Sequence, residues 1–261
     1  MTLRLLTYNI HHAAGNDGVL NPQRIAAVIA ESGADLVGLN EVYHPYPVAS
    51  GRRPMLDEIA DALGMRYLFG STLATIPGSP QLTAYGNALL SRAPWHNAST
   101  FRLPTPETCE SRGAIWAEVE VNDVCLTIGT VHLENTAEEA RIAQVEHLLS
   151  LAARLHCPQV LLGDFNALAP GEFQDSITGQ LAPPAATQVI ARMLRAGYVD
   201  AQATVGRGPR ESWSTTRPII RIDYIWLSPQ LQGRLVACER LDTPLARVAS
   251  DHFPVWCELA I

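Results

Sequence analysis

The chain has 261 residues, 47% of them hydrophobic and 17% charged, with 19 Lys and Arg against 26 Asp and Glu for a net charge of -7. That length supports a sizeable core, and the ordinary composition excludes a disordered or fibrous protein. The acidic balance argues against a broad nucleic-acid footprint, which needs Lys and Arg to neutralise phosphates, and no apolar stretch is long enough to span a bilayer.

The N-terminus opens on a strand-like run, LRLLTYNI, with no basic segment, long apolar segment or small-residue cleavage site, so no signal peptide is expected. Asn21-Pro22 reads as an N-cap followed by proline at the first helical position, with Ile25, Val28 and Ile29 as the apolar stripe and Gly33 as the stop. A strand over 35–40 follows, then a helix over 54–63 carrying Leu56, Ile59 and Leu63 and closed by Gly64. Strand-like runs at 86–90, 114–121 and 124–131 come next, the last two joined at Asn122-Asp123 by a tight hairpin turn. Thr136 and Glu139 have capping-box spacing and open a long helix to about Leu155, with Ile142, Val145, Leu148 and Leu149. A strand over 159–163, a helix over 187–196 closed by Gly197, and strands over 221–227, 234–241 and 253–259 complete the chain.

A hairpin mixed in among strand–helix units excludes a purely parallel sheet and predicts two sheets packed together with helices outside, a layered α/β sandwich in one domain spanning 1–261. The Pro/Gly-rich stretches 77–80 and 207–218 read as loops over a site. The five cysteines (Cys109, Cys125, Cys157, Cys238, Cys257) are odd in number and scattered, without C-x-x-C spacing. They are expected to be reduced, mostly core residues of a cytoplasmic protein. The pairs Arg52-Arg53 and Arg207/Arg210 are the candidate basic patches, with solvated loop arginines as the plainer reading.

Four polar clusters stand at the ends of apolar runs: Thr7-Tyr8-Asn9, Asn40-Glu41, Gly163-Asp164-Phe165-Asn166 and Ser250-Asp251-His252. A buried strand has no use for a carboxylate at its tip unless several tips converge. Carboxylates, amides and an imidazole gathered at one sheet edge are what a hard divalent cation and a phosphate ester require. Each cluster alone also fits a solvated turn, and His252 alone a satisfied core histidine, with Asp251 and Asp223 available to fix its tautomer.

In order along the chain, TYNI, LNEV, GNALLSR (86–92), TVHLEN (130–135), LLGDFNA, RIDYIWLS (221–228) and SDHFPV (250–255) resemble the endonuclease/exonuclease/phosphatase superfamily of metal-dependent phosphohydrolases. That superfamily includes DNase I-like nucleases, abasic-site endonucleases, sphingomyelinases and inositol-polyphosphate phosphatases. The resemblance implies a four-layered sandwich, two mixed β-sheets face to face with helices outside. It implies Glu41 as the main metal carboxylate, with Asn9 beside it and Asp251 completing the shell or a second site. Asp164 would orient or deprotonate the attacking water, Asn166 would hold the phosphate, and His252, supported by Asp223, would contact it together with His132. His132 stands where abasic-site endonucleases commonly have tyrosine. Asn87 and Arg112 match positions implied at the substrate side, Arg112 to touch an anionic leaving group and Asn87 to back up the site, whereas Arg141 reads as a structural ion pair, and Trp213 and Tyr43 as pocket aromatics or core caps.

Two departures stand out: Asn40 replaces the usual glutamine, and His11-His12 stand where several nucleases carry an acidic residue. The His pair is left outside the metal set, its readings being a polar loop, a substrate contact or a second metal. Oxygen ligation favours Mg2+, with Mn2+ as the substitute. The expected activity is hydrolysis of a phosphoester, a small or headgroup-like phosphodiester before nucleic acid. A metal-dependent nuclease is the first alternative, and a catalytically silent binding module the second. Neither the substrate nor the oligomeric state is written in the sequence.

Overall fold

The computed structural model describes residues 2–45, 53–73, 84–172 and 188–261. The elements in order are β1 (Thr2–Asn9), α1 (Pro22–Ser32), β2 (Leu36–His44), α2 (Met55–Leu63), β3 (Arg66–Leu73), β4 (Ala84–Ser91), β5 (Trp95–Arg102), β6 (Gly113–Val121), β7 (Val124–His132) and α3 (Glu138–Ala152). There follow β8 (Gln159–Asp164), α4 (Gln188–Arg195), β9 (Val199–Asp200), α5 (Ala201–Val205), β10 (Asp223–Leu227), β11 (Leu235–Arg240), α6 (Ala246–Ala249) and β12 (Val255–Ala260). They form two six-stranded sheets, ordered β11-β12-β1-β2-β4-β3 and β5-β6-β7-β8-β10-β9. Each has one parallel pair at its centre, β1/β2 and β7/β8, and antiparallel neighbours elsewhere. Both sheets are mixed.

Side-chain alternation divides the core into three layers. Leu3, Leu5 and Leu36 meet Val160, Leu162 and Ile225 between the sheets. Leu6, Tyr8, Val37 and Leu39 point the other way, onto α1 and α2. Val131, Leu161, Tyr224 and Trp226 cover the far side of the second sheet, against α3 and α4. The result is helix, sheet, sheet, helix. No helix among the described residues is long and apolar enough to cross a membrane.

Most expected elements are present, with local corrections. Asn21 caps α1 by accepting from Arg24 N at 3.0 Å, and Gly33 ends it at φ 65°. Asn122 and Asp123 turn the β6–β7 hairpin with φ of 51° and 62°. The capping box does not form: α3 has Ala137 at its N-cap, and Thr136 bonds backward to Glu134 Oε1, at 3.0 Å through N and 2.7 Å through Oγ1. Strands β3 and β5 were not expected; β5 is an edge strand, mostly exposed, with no apolar alternation to reveal it. The loop stretch 77–80, Arg52 and Thr187 lie outside the described residues.

The cysteine expectation also needs correcting. Cys125 and Cys157 are disulfide-bonded, with Cα atoms 5.7 Å apart. The parallel pairing of Thr127 with Gln159 brings residues 32 apart in sequence side by side at the bottom of β7 and β8, which linear spacing does not show. Cys238 and Cys257 are buried and free, as expected for core residues.

One glycine fixes the approach of these strands. Gly163 has φ 140°, and a Cβ there would stand 1.9 Å from Val131 O on the paired strand. Gly163→Ala is therefore expected to destabilise the fold by about 3 kcal/mol or more, combining a disfavoured φ with a backbone clash. Urea unfolding measures this, and an unchanged midpoint would contradict it.

Candidate active site

The same alternation that builds the inter-sheet core delivers polar tips to one edge of it. In β1 the odd residues face the other sheet, so Asn9 continues the Leu3–Leu5 row. In β2 the even residues do so, which aims Asn40. In β7, β8 and β10 the rows Leu126–Ile128, Val160–Leu162 and Ile225–Leu227 carry His132, Asp164 and Asp223 respectively. Neighbouring strands are in register there: Asp164 pairs with both His132 and Asp223, and Asn9 with Asn40.

Glu41 escapes the alternation. The β2–β4 register slips between Leu39 and Val42, a bulge in which Glu41 takes φ 58°. Opposite it, His11, His12 and Ala13 stand at φ 43°, 44° and 62°. Three consecutive left-handed non-glycine residues are rare, because each costs on the order of 1–3 kcal/mol. Ala13 O accepts from Asn21 N at 2.9 Å and Asn9 Oδ1 from His11 N at 3.1 Å, and these bonds hold the turn.

At the centre, Asp164 Oδ2 accepts from Asn9 Nδ2 at 3.1 Å, and Oδ1 from Asn166 N at 2.9 Å. The same Asn9 amide donates to Glu41 Oε1 at 2.9 Å, so one side chain links both carboxylates. Burial, with the Asp223 carboxylate behind it, raises Asp164 to about 7. His252 Nδ1 lies 2.8 Å from Asp223 Oδ2, and its Nε2 lies 3.8 Å from Asp164 Oδ2. Burial alone would pull His252 down, but Asp223, then Asp164 and Asp251, raise it to about 10, making it an imidazolium at neutral pH.

His132 behaves oppositely. Burial, then Arg112, then His252 hold it well below the usual histidine range. Arg112 Nη1 lies 3.2 Å from His132 Nδ1, and a guanidinium only donates, so the accepting nitrogen carries no proton. The 3.6 Å approach of His132 to Asp164 is therefore a contact of a neutral ring, not an ion pair.

Asn166, at φ 47°, donates through Nδ2 to Leu133 O at 3.1 Å, which leaves its second amide hydrogen without a partner among the described residues. Asp251 is partly exposed and accepts from Trp213 Nε1 at 3.2 Å. Glu41, Arg112, His132, Asp164, Asn166, Asp251 and His252 all line one cavity of about 510 Å3, walled by Tyr85, Trp213 and Ile220.

Asn87 does not line it and stands behind the site. It is 1% exposed; its Oδ1 accepts from Asn40 Nδ2 at 2.9 Å and its Nδ2 donates to Gly113 O at 2.8 Å. Asn40 also donates to Val131 O at 3.0 Å and accepts from Asp164 N at 3.0 Å. These two amides clamp the sheets together beneath Asp164. Arg112 reaches the cavity with its charge shared between Glu110 Oε1 at 2.7 Å and Glu134 Oε2 at 3.8 Å. Arg141 makes the expected ion pair, with Glu138 at 2.8 Å, and lines the cavity as well. Glu110 is a cavity residue with no sequence signal beyond standing near Arg112, and Asn135, also in the cavity, closes the TVHLEN motif.

The sequence matches the endonuclease/exonuclease/phosphatase family over residues 6–252. No curated protein matches it. Among solved structures, an endonuclease/exonuclease/phosphatase from Beutenbergia cavernae DSM 12333 is similar at 24% identity and TM-score 0.79, over 100% of this chain and 72% of that one. A mannosyl-6-phosphatase from Bacteroides thetaiotaomicron VPI-5482 is 18% identical, with TM-score 0.71 over 99% and 100%. A 3′ phosphatase from Neisseria, bound to a product DNA hairpin, is 21% identical, with TM-score 0.70 over 99% and 100%. At these identities the likeness concerns the fold.

Proposed function

Because the chain belongs to the endonuclease/exonuclease/phosphatase family of phosphoester hydrolases, we propose that it cleaves a small or headgroup-like phosphodiester by in-line attack of water. The observation that carries the reading is geometric: Asp164, Asn166 and His252 face one cavity, with His252 Nε2 3.8 Å from Asp164 Oδ2 and His252 Nδ1 2.8 Å from Asp223 Oδ2, an arrangement in which burial raises Asp164 and Asp223 raises His252. Asp164 aligns the water and takes its proton, a task suited to a base that titrates near neutrality. His252, held by Asp223, presents positive charge where the phosphoryl oxygens gain negative charge, and the Asn166 amide donates to one of them. His132 adds a neutral ring at the same oxygens.

The family is generally metal-dependent, and the residues present fit a divalent cation. Glu41 has one oxygen engaged by Asn9, and among the described residues its Oε2 makes no hydrogen bond. Asp251 stands across the cavity mouth with part of its surface free. Glu41, with Asp251 and Asn9, would hold Mg2+ or Mn2+. Such a cation, when bound, supplies Lewis-acid neutralisation of the phosphoryl oxygens.

The walled cavity favours a small substrate over a duplex, and its cations are internally balanced. Of the candidate basic patches, Arg53 pairs with Asp61 and Arg210 with Glu172. The test is a panel of bis-p-nitrophenyl phosphate, glycerophosphodiesters, p-nitrophenyl phosphate, a phosphosugar and supercoiled plasmid, with Mg2+, Mn2+ or EDTA. Turnover of the small diesters, abolished by EDTA, is the expected result. Robust plasmid nicking at physiological salt without small-diester turnover would replace this reading with a nuclease; turnover of monoesters alone would replace it with a phosphatase.

A further inference from the structure

We propose that His11, His12 and Glu41 form a binding site for a nitrogen-preferring divalent transition-metal ion, of the class of Zn2+ or Co2+. One ligating atom from each of the three lies within 4.8 Å of the other two. Two donors at about 2.1 Å from a common ion stand at most roughly 4.2 Å apart, so a contraction of a few tenths of an ångström per donor closes the shell.

Each donor is free or correctly poised. Among the described residues neither ring nitrogen of His12 makes a hydrogen bond; the ring is held instead by stacking on Tyr43, with centroids 4.9 Å apart and planes 22° from parallel. His11 Nδ1 lies 3.3 Å from Ala14 O. A proton on Nδ1, donated to that carbonyl, leaves Nε2 with its lone pair, the arrangement that metal-bound histidines generally use. Glu41 is anchored through Oε1 by Asn9, with Oε2 open. Asp251 Oδ1, 4.0 Å from His11 Nδ1, adds negative charge at the rim. The two imidazole rings stand 4.4 Å apart, brought to one side by the left-handed turn at His11 and His12.

Hydrogen-bonded surface histidines need no such convergence, and oxygen-only ligation of Mg2+ would have no use for two imidazoles. Imidazole donors favour ions later in the divalent series over Mg2+. The site shares Glu41 with the proposed hydrolytic site but is read without substrate, so it stands or falls separately from the phosphodiesterase reading.

The experiment uses the full chain stripped with a chelator and then titrated with Mg2+, Mn2+ and Co2+. Isothermal titration is expected to show one Co2+ site at least about tenfold tighter than Mg2+. Pulsed electron paramagnetic resonance of the Mn2+ form is expected to show nitrogen hyperfine coupling. His11→Ala and His12→Ala should each weaken Co2+ binding by about ten- to a hundredfold and reduce that coupling, while His147→Ala, on α3, should change neither. A wild-type Mn2+ spectrum without nitrogen coupling would overturn the proposal whatever the variants do. Unchanged Co2+ affinity in both folded His variants would overturn it as well.

Discussion

Asp164→Asn is expected to lower kcat on a small phosphodiester by about 10³-fold, the middle of the range for loss of a general base. Two features separate this from structural damage. The substitution is isosteric, and the carboxyl it replaces is already held partly neutral by burial and by Asp223. The amide can still accept from Asn166 N, but it turns an N–H toward Asn9 Nδ2, so one hydrogen bond is lost. That loss costs about 1 kcal/mol. Urea stability should therefore change little while activity collapses.

The pH profile gives the second separation. In the wild type, kcat/KM is expected to rise as Asp164 ionises near 7 and to fall as His252 loses its proton near 10. Asp164→Asn should abolish the rising limb of the residual activity and keep the falling one. A variant that retained the rising limb at full height would assign the base elsewhere.

Much of this site was legible because strand alternation is exact. Apolar rows at odd or even positions say which face is buried, and the next residue in the same row, whether Asn9, His132, Asp164 or Asp223, must emerge at the seam between the sheets. The order of motifs then supplied the family. What stayed hidden depends on departures from regularity or on contacts between distant segments. The bulge that turns Glu41 into the cavity, and the left-handed run at His11, are backbone conformations that these residue types do not announce. The roles of Asn40 and Asn87 are not written in the linear sequence, because their partners are Val131 O, Asp164 N and Gly113 O, on strands far along the chain. The Cys125–Cys157 bond is hidden for the same reason, since only the β7–β8 register brings the two together. Edge strand β5 has too little buried surface to leave a pattern.

The second large effect concerns a residue that acts through another. Asp223 is fully buried, with Oδ2 2.8 Å from His252 Nδ1 and Oδ1 without a hydrogen-bond partner among the described residues, so its charge is directed at the imidazole. Asp223→Asn removes the largest influence that holds His252 protonated and leaves its burial opposed only by Asp164 and Asp251. The falling limb of the pH profile should move from near 10 toward or below neutrality, and kcat at pH 8 should drop by about 10²- to 10³-fold. His252→Ala should cost about as much, and the double variant little more than His252→Ala alone, because the two residues act as one unit.

Stability follows with a definite sign. A histidine whose folded pKa is raised stabilises the fold fully below its unfolded value near 6.5, and that contribution is lost as pH rises through about 10. Breaking a buried charge pair costs about 3–5 kcal/mol. The wild type should thus exceed Asp223→Asn by roughly that amount at pH 6, with the gap narrowing steadily above pH 7. A gap independent of pH would mean that Asp223 serves as packing, and an unmoved alkaline limb would mean that it does not hold the proton on His252.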